Sequence, residues 1–267
     1  MENHHLRRSL GMAKDQSGIL VKWVAETCDA NRVLQKGDIV THVDGISVSN
    51  AGTVPFRSGE RISLNFMVTS KFTSDSLGVT FYRNGKRRKG SYRLSGMGHH
   101  RLVKVHDAQH LFRRQPEYLL CGGLLFQVLS EPFLRTVYGQ NWELEAPVRL
   151  IEEYHRGVCT KEGRSEVVVL AEILAARTTS GYEEEEGNDA AILKHLNGES
   201  VHSLVHLAHL IDACSDSMEF LRFTLDDDTL IVIDRKAAEE DEQDMLAMHC
   251  IPATRSIGKE QTKTSKP

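Results

Sequence analysis

Long apolar runs are absent from this chain of 267 residues. The densest one, residues 118–129, is shorter than the roughly 18 residues that a membrane-spanning helix needs, and Gln127 interrupts it. The N-terminal segment also lacks the apolar core of a secretory signal. We therefore expect no membrane partner, and the default location is the cytoplasm or nucleus.

Cysteine is also scarce, with five residues and no C-x-x-C pair among them. Their odd number and wide spacing argue against a disulfide framework or a structural zinc site. Cys121 precedes two glycines and could be a reactive thiol, but the sequence offers no identifiable activating base. We expect no catalytic cysteine, no metal and no cofactor.

Neither sign of charge dominates, since 33 basic and 37 acidic residues give a formal net charge of −4. This balance provides no overall attraction to nucleic acid phosphates. One basic cluster, residues 83–89, could contact nucleic acid or act as a nuclear localisation patch. No aromatic residue interleaves it as a base-stacking platform would, so a charged strand edge is the favoured interpretation.

Histidine is comparatively abundant, with 13 residues. His202, His206 and His209 follow helical spacing on one face and could hold a zinc ion with an open position. No H-E-x-x-H arrangement supplies a general base beside them. The polar side of an amphipathic helix explains the three residues without a metal, and we favour that interpretation.

The sequence contains an internal repeat. Ile39–Val43 is followed by Asp44-Gly45, and Ile192–Leu196 is followed by Asn197-Gly198. Both copies are typical of a strand that ends in a tight turn with positive φ. An amphipathic helix and a strand pair are predicted after each turn. The predicted helices contain Ile62, Phe66 and Val68 in the first copy, and Val201, Leu204, Val205, Ala208 and Ile211 in the second.

The repeat predicts two units with an α+β fold, each a small, partly open barrel of five to six strands with a groove helix. The predicted organisation is a first unit at 1–97, a linker at 98–116, a second unit at 117–234, a C-terminal helix at 235–251 and a disordered tail at 252–267.

A longer motif gives the repeat a family resemblance. Residues 34–45 read Leu-Gln-Lys-Gly-Asp-Ile-Val-x-x-Val-Asp-Gly, which resembles the signature of PDZ domains. Further segments resemble the plant-type Deg (Do-like, HtrA-type) serine proteases and together cover nearly the whole chain. They are Met1–Met12, Gly52–Ile62, Tyr138–Gly139, Ala146–Val148, Gly181–Glu183, Leu207–Ile211 and His249–Pro252.

The resemblance covers only the tandem PDZ part that follows the protease domain in that family. The family's nucleophile lies in a Gly-Asn-Ser-Gly-Gly loop, and no such stretch occurs here. We therefore expect no peptide-bond cleavage by this chain. Met1 corresponds to an internal position of the longer proteins, so the first unit is expected to lack its first strand and its carboxylate-binding loop.

The resemblance also implies where a peptide would bind. In the second unit, Gly122, Gly123 and Leu124 would lie near the loop that reads the peptide backbone, and Leu204 to Leu207 would line the groove. Ile62 and Phe66 are the corresponding candidates of the first unit.

We expect a non-catalytic module that binds peptide or protein segments, with Deg-type protease protomers and a homo-oligomer as possible partners. One alternative is that the chain is the regulatory fragment of an active serine endopeptidase whose protease domain is missing from it. A second alternative is a degenerate paralogue without a ligand.

Overall fold

The computed structural model describes residues 1–96, 100–103, 116–160, 163–182, 190–214 and 218–257. The chain divides into two compact units, Met1–His100 (unit 1) and Arg101–Pro267 (unit 2). The division falls within the predicted linker, most of which lies outside the described residues. No helix in the described ranges is long and apolar enough to cross a bilayer.

Unit 1 is built on a five-stranded open sheet with the order β1-β2-β6-β7, in which β3 pairs with β2, and β4 and β5 form a separate pair. Its core is formed mainly by residues of this sheet, and the half-buried Met67 and Val68 of a short helix, α2, pack against it. The elements are α1 (His4–Ser9), β1 (Ile19–Leu20), a 3-10 turn (Asp29–Arg32), β2 (Ile39–Val43), β3 (Ile46–Ser47), β4 (Thr53–Pro55), β5 (Arg61–Ser63), α2 (Asn65–Thr69), β6 (Ser76–Arg83) and β7 (Lys86–Arg93).

Unit 2 is built on an eight-stranded open sheet with the order β14-β13-β11-β10-β9-β8-β15, in which β12 pairs with β11. The elements are β8 (Tyr118–Cys121), β9 (Leu124–Val128), α3 (Glu131–Tyr138), α4 (Trp142–Glu145), α5 (Val148–Arg156), β10 (Val168–Ile173), a 3-10 turn (Arg177–Thr179), β11 (Ala191–Leu196), β12 (Glu199–Ser200), α6 (Leu204–Asp212), β13 (Phe220–Leu225), β14 (Leu230–Asp234), α7 (Arg235–Met248) and β15 (Arg255–Ser256).

Two apolar clusters cover the central strands of unit 2. Val168 and Leu170 pack in the cluster that contains α6, whereas Val167 and Val169 pack in the cluster that contains α3 to α5. Because successive side chains of a strand point to opposite faces, this alternation places α6 on one face of the sheet and α3 to α5 on the other. The α+β class predicted from the sequence is confirmed.

The repeated hairpins have the same backbone geometry in both units. Asp44 and Gly45 have φ of +47° and +80°, and Asn197 and Gly198 have φ of +51° and +87°. Each Asx side chain then ties its hairpin to the next long strand. Asp44 Oδ1 accepts the Gly78 N–H at 2.7 Å, and Asn197 Oδ1 accepts the Arg222 N–H at 2.9 Å.

The motif shared with PDZ domains has a local structural role in unit 1. Asp38 is 1 % exposed, and its carboxylate accepts the Gln35 N–H at 2.9 Å. The same carboxylate accepts two hydrogen bonds from Arg83 at 2.7 and 2.6 Å. A buried carboxylate needs such partners, so this pair joins the turn before β2 to the end of β6.

Three expectations differ from the structure, and three helices of unit 2 were not predicted. Ile62 lies in β5 and not in a helix, because Arg61–Ser63 pairs with β4 and α2 begins only at Asn65. The sheet of unit 2 has eight strands and not five or six. Helices α3 to α5 were not predicted. Finally, the segment after residue 252 is not uniformly a tail, because Arg255–Ser256 forms β15 on β8. Residues 258–267 lie outside the described part.

Candidate peptide-binding groove

The two predicted loop glycines form the tight turn between β8 and β9. Gly122 and Gly123 have φ of +52° and +87°, as a two-residue hairpin turn requires. A Cβ on Gly122 would lie 2.6 Å from Ile233 Cγ2, and one on Gly123 would lie 2.6 Å from Thr179 Cγ2. Both positions therefore need glycine because the turn packs against β14 and the 3-10 turn of unit 2.

The three predicted leucines of unit 2 lie beneath the groove and not on its surface. Leu124, Leu204 and Leu207 are each 0 % exposed and belong to the same core cluster. They place α6 against the sheet, so they hold the groove helix in position. Direct contact between these side chains and a peptide, as the sequence led us to expect, is not available in this structure.

The predicted residues of unit 1 lie near each other in the chain but differ in exposure. Ile62 is half-buried against the unit 1 core. Phe66 in α2 is 40 % exposed, and its ring meets the ring of Phe56 edge-on with centroids 5.5 Å apart. The five-residue helix α2 contains no buried residue and has no side-chain cap.

Helix α6 is better specified than α2. The Ser203 hydroxyl caps it by accepting the His206 N–H at 3.0 Å. The Glu166 carboxylate accepts the Leu204 N–H at 3.1 Å. These contacts satisfy two backbone donors of the first turn, and a carboxylate there also complements the helix dipole.

His202, just before α6, and His206 in its first turn form a ring stack. The rings of His202 and His206 are 4.8 Å apart, and the His202 N–H donates to His206 Nδ1 at 3.2 Å. Burial lowers the pKa of His206, and the neighbouring His202 and His209 lower it further. The described residues contain no group of three or more His, Cys, Asp or Glu that could hold a metal ion.

One edge of β8 carries a segment of the chain that the sequence did not predict to be ordered. Strand β15 pairs with it antiparallel, with Arg255 opposite Leu119 and Ser256 opposite Tyr118. The Leu120 N–H donates to Thr254 O at 2.7 Å. The Tyr118 hydroxyl donates to Ala253 O at 2.9 Å.

Side chains also fix this segment beside α6. The Arg255 guanidinium donates to both carboxylate oxygens of Asp212, the last residue of α6, at 2.8 and 2.9 Å. The hydrogen bond from Arg255 lowers the pKa of Asp212. Ile257 packs partly buried against the core cluster that includes α6. Residues 253–257 thus occupy a groove that β8 and α6 border.

The Cys121 thiol in β8 lies in an environment that disfavours its thiolate form. Burial raises the pKa of Cys121 to about 12, and nearby Glu242 raises it as well. A thiol with such a pKa is almost entirely protonated at neutral pH. Cys121 packs partly buried against the core cluster of unit 2 and is part of its structural frame.

Sequence reasoning missed β15 because a two-residue strand carries almost no periodic signal. Ala253, Arg255 and Ile257 occupy every second position, but this pattern is too short to distinguish a strand from a tail. A clearer signal was available for α3, since Ser130-Glu131-Pro132 is a typical helix start and the Ser130 hydroxyl does accept the Phe133 N–H.

Comparison with known proteins assigns the chain to a family. The sequence profile of the PDZ domain family matches residues 108–258. The chain is 33 % identical over 256 residues to "Protease Do-like 2, chloroplastic" of Arabidopsis thaliana, covering 96 % of this chain and 39 % of that protein.

Two further relatives have similar names. "Putative protease Do-like 3, mitochondrial" of Arabidopsis thaliana is 28 % identical over 100 % of this chain and 44 % of its own length. "Serine protease DegP homolog" of Plasmodium falciparum is 30 % identical over 67 % of this chain and 18 % of its own length. The chain thus spans less than half of these relatives. It belongs to the PDZ domain family, as a PDZ part of the Deg-type (Do-like) proteases, with two PDZ-like units.

Proposed function

We propose that this chain is a non-catalytic module that binds extended peptide or protein segments by strand addition in unit 2. The observation that carries the proposal is the occupied edge of β8. An extended segment already lies there, held by backbone hydrogen bonds and flanked by α6. Addition of a strand to a sheet edge is a common mode of peptide recognition.

Binding of a second segment requires that residues 253–257 leave the groove. Strand β15 contains only two residues, and the ion pair that anchors it has roughly half of each side chain exposed. An exposed ion pair of this kind contributes up to about 1 kcal/mol. A partner with matching backbone and side chains could therefore displace the segment at low cost.

A labelled peptide tests the proposal directly. The probe is a fluorescein-tagged peptide with the sequence of residues 251–257, and the protein is the full chain with Arg255→Ala and Ile257→Ala to weaken the internal strand. We expect saturable binding by fluorescence anisotropy and weaker binding to the unmodified chain. A matched probe with proline at the positions of Thr254 and Ser256 cannot adopt the paired strand and should not bind. Equal binding of both probes would contradict strand addition.

A homo-oligomer is a natural extension of the same geometry. A segment 253–257 that leaves its own groove could enter the groove of a second copy, as in domain swapping. Light scattering over a range of concentrations would then show a dimer in the unmodified chain that Ile257→Asp abolishes. A monomer at all concentrations would remove oligomer formation from the proposal.

The second candidate is that the chain is the regulatory part of a serine endopeptidase. It is favoured by the coverage of two relatives that are named as proteases. This chain matches 39 % of the length of one and 44 % of the length of the other. Mapping the 5′ end of the transcript tests it. A reading frame continuous with Met1 that encodes a Gly-Asn-Ser-Gly-Gly segment would support it, whereas transcription starting near Met1 would favour a stand-alone module.

The location can also be proposed from these names. The two Arabidopsis relatives described above are chloroplastic and mitochondrial, so they do not support a default location in the cytoplasm or nucleus. An organelle is the better supported proposal for the protein that carries this chain. Organelle fractionation with an antibody against unit 2 would test it, and signal confined to the soluble cytosolic fraction would contradict it.

A further inference from the structure

The backbone contacts of the β8–α6 groove do not distinguish one peptide sequence from another. The bonds from Leu120 N–H to Thr254 O and from the Tyr118 hydroxyl to Ala253 O both end on carbonyl oxygens. Every residue type offers such an acceptor. Selection among partners must therefore come from the side chains that the groove contacts.

Two side chains of the bound segment make such contacts. Arg255 pairs with Asp212 in a bidentate arrangement, and Ile257 packs against the apolar cluster. Ser256, between them, contributes a backbone pair with Tyr118. The pattern is a cationic residue, any residue, and then an aliphatic residue.

The position of Asp212 suggests that its role is recognition and not helix stability. It is the last residue of α6, where the helix dipole disfavours a negative charge. The interaction with Arg255 offsets this cost, because it lowers the pKa of the Asp212 carboxyl and raises that of the Arg255 guanidinium. His209, one turn earlier on α6, adds a smaller effect in the same direction on Asp212. A planar guanidinium is the group that best matches a carboxylate in two parallel hydrogen bonds.

The bound segment is internal to the chain, since ten residues follow Ile257 in the sequence. Recognition of residues 253–257 therefore involves no terminal carboxylate.

We infer that the groove of unit 2 selects internal, extended segments with the pattern Arg-x-aliphatic, and that Asp212 is the residue that specifies the arginine. The inference rests on the proposed function of strand addition at β8. The chain's own Thr254–Ile257 is the first example of such a ligand, and a partner segment must carry the same pattern to replace it.

The test compares two fluorescein-tagged probes on the full chain carrying Arg255→Ala and Ile257→Ala. One probe has the sequence of residues 251–257, and the other has glutamate at the position of Arg255. We expect the arginine probe to bind about tenfold more tightly, because one ion pair is exchanged for a repulsion. Adding Asp212→Arg should reverse the preference. Adding Glu145→Arg, the same charge change at an exposed residue of α4, should leave it unchanged.

The outcomes separate the inference from the proposed function. Equal affinity for the two probes, with no effect of Asp212→Arg, would overturn the role of Asp212 while strand addition stands. No binding of either probe, with unchanged circular dichroism, would overturn both.

A second measurement needs no added peptide. It also does not require the variant with Arg255→Ala and Ile257→Ala to fold. Hydrogen exchange of the Leu120 amide reports whether the internal strand is in place, because that N–H donates to Thr254 O. Arg255→Glu alone should accelerate its exchange several-fold, and the double exchange Arg255→Glu with Asp212→Arg should restore protection. Failure of the double variant to restore protection would overturn the inference.

Discussion

Units 1 and 2 share a hairpin tied to the next strand by an Asx side chain, but their groove helices differ. Helix α6 has nine residues, a serine cap and three buried side chains, whereas α2 has five residues and buries none. The sheet edges differ as well. Within the described residues, β1 pairs only with β2, whereas β8 is covered by β15. The same hairpin contact thus accompanies a capped nine-residue helix in unit 2 and a short helix without a side-chain cap in unit 1.

The largest effect is expected from breaking the contact between Arg83 and Asp38, a residue of the PDZ-like motif in unit 1. Arg83→Ala leaves the Asp38 carboxylate buried without its cation, which should lower the free energy of unfolding of unit 1 by about 3 kcal/mol. The chain has two tryptophans, Trp23 in unit 1 and Trp142 in unit 2, so urea unfolding of Trp→Phe variants follows each unit separately. The control is Arg32→Ala, which removes an exposed pair with Asp29 and should change little. A loss confined to unit 2 would contradict the assignment.

The shared tie can be tested in unit 2. Asn197→Ala removes the bond to the Arg222 N–H and places alanine at positive φ, so we expect a loss of about 2 kcal/mol. Asn197→Asp copies the residue that unit 1 uses at the same place and should retain most of the stability. Urea unfolding monitored at Trp142 measures both. If both variants lost the same free energy, the tie would not explain the common hairpin.

Removal of the helix cap tests whether the cap accounts for part of the difference between α6 and α2. Ser203→Ala removes the acceptor for the His206 N–H, which should cost unit 2 about 1 kcal/mol. Ser203→Thr keeps a hydroxyl and should be close to neutral. Thermal unfolding and binding of the 251–257 peptide should change together in Ser203→Ala, since α6 borders the groove. An unchanged melting temperature would show that the cap is dispensable.

The smallest effect concerns pH. The pKa of His206 is lowered in the folded protein, first by burial and then by His202. The unfolded chain therefore binds a proton at higher pH than the folded chain does. Stability from this group is complete above the ordinary histidine pKa of about 6.5 and is lost as pH falls below it.

The comparison that tests this is His206→Gln, which cannot be protonated. Its unit 2 unfolding free energy should fall less steeply than that of the unmodified chain between pH 6.5 and 5, whereas unit 1 should respond alike in both proteins. Identical slopes for unit 2 would show that Glu199, which raises the pKa, cancels the effect of burial.

Much of the fold followed from local patterns. The hairpins at Asp44-Gly45 and Asn197-Gly198, the strand pair that follows each of them and the helix at Leu204 could be predicted, because positive-φ turns and amphipathic spacing are local properties. Ile62 was misassigned because its helical spacing with Phe66 competes with pairing of Arg61–Ser63 to β4. Tertiary pairing overrode propensity there.

The candidate site was less predictable than the fold. Leu204 and Leu207 were correctly placed on the groove helix, but their spacing could not tell whether they face the core or a ligand. Gly122 and Gly123 were recognised as conformationally special, yet only the neighbouring Ile233 and Thr179 show why. The sequence carried no sign of the contact between Asp212 and Arg255, which are 43 residues apart.

The amino-acid sequence by itself determined the number of units, the turns and the family, since each depends on residues close together in the chain. The tertiary structure alone decided that the edge of β8 is occupied, that Asp212 meets Arg255, and that the predicted leucines are buried. These features depend on segments distant in sequence that meet only when the sheet of unit 2 has formed, and their free energies are too small and too non-local to leave a periodic signal.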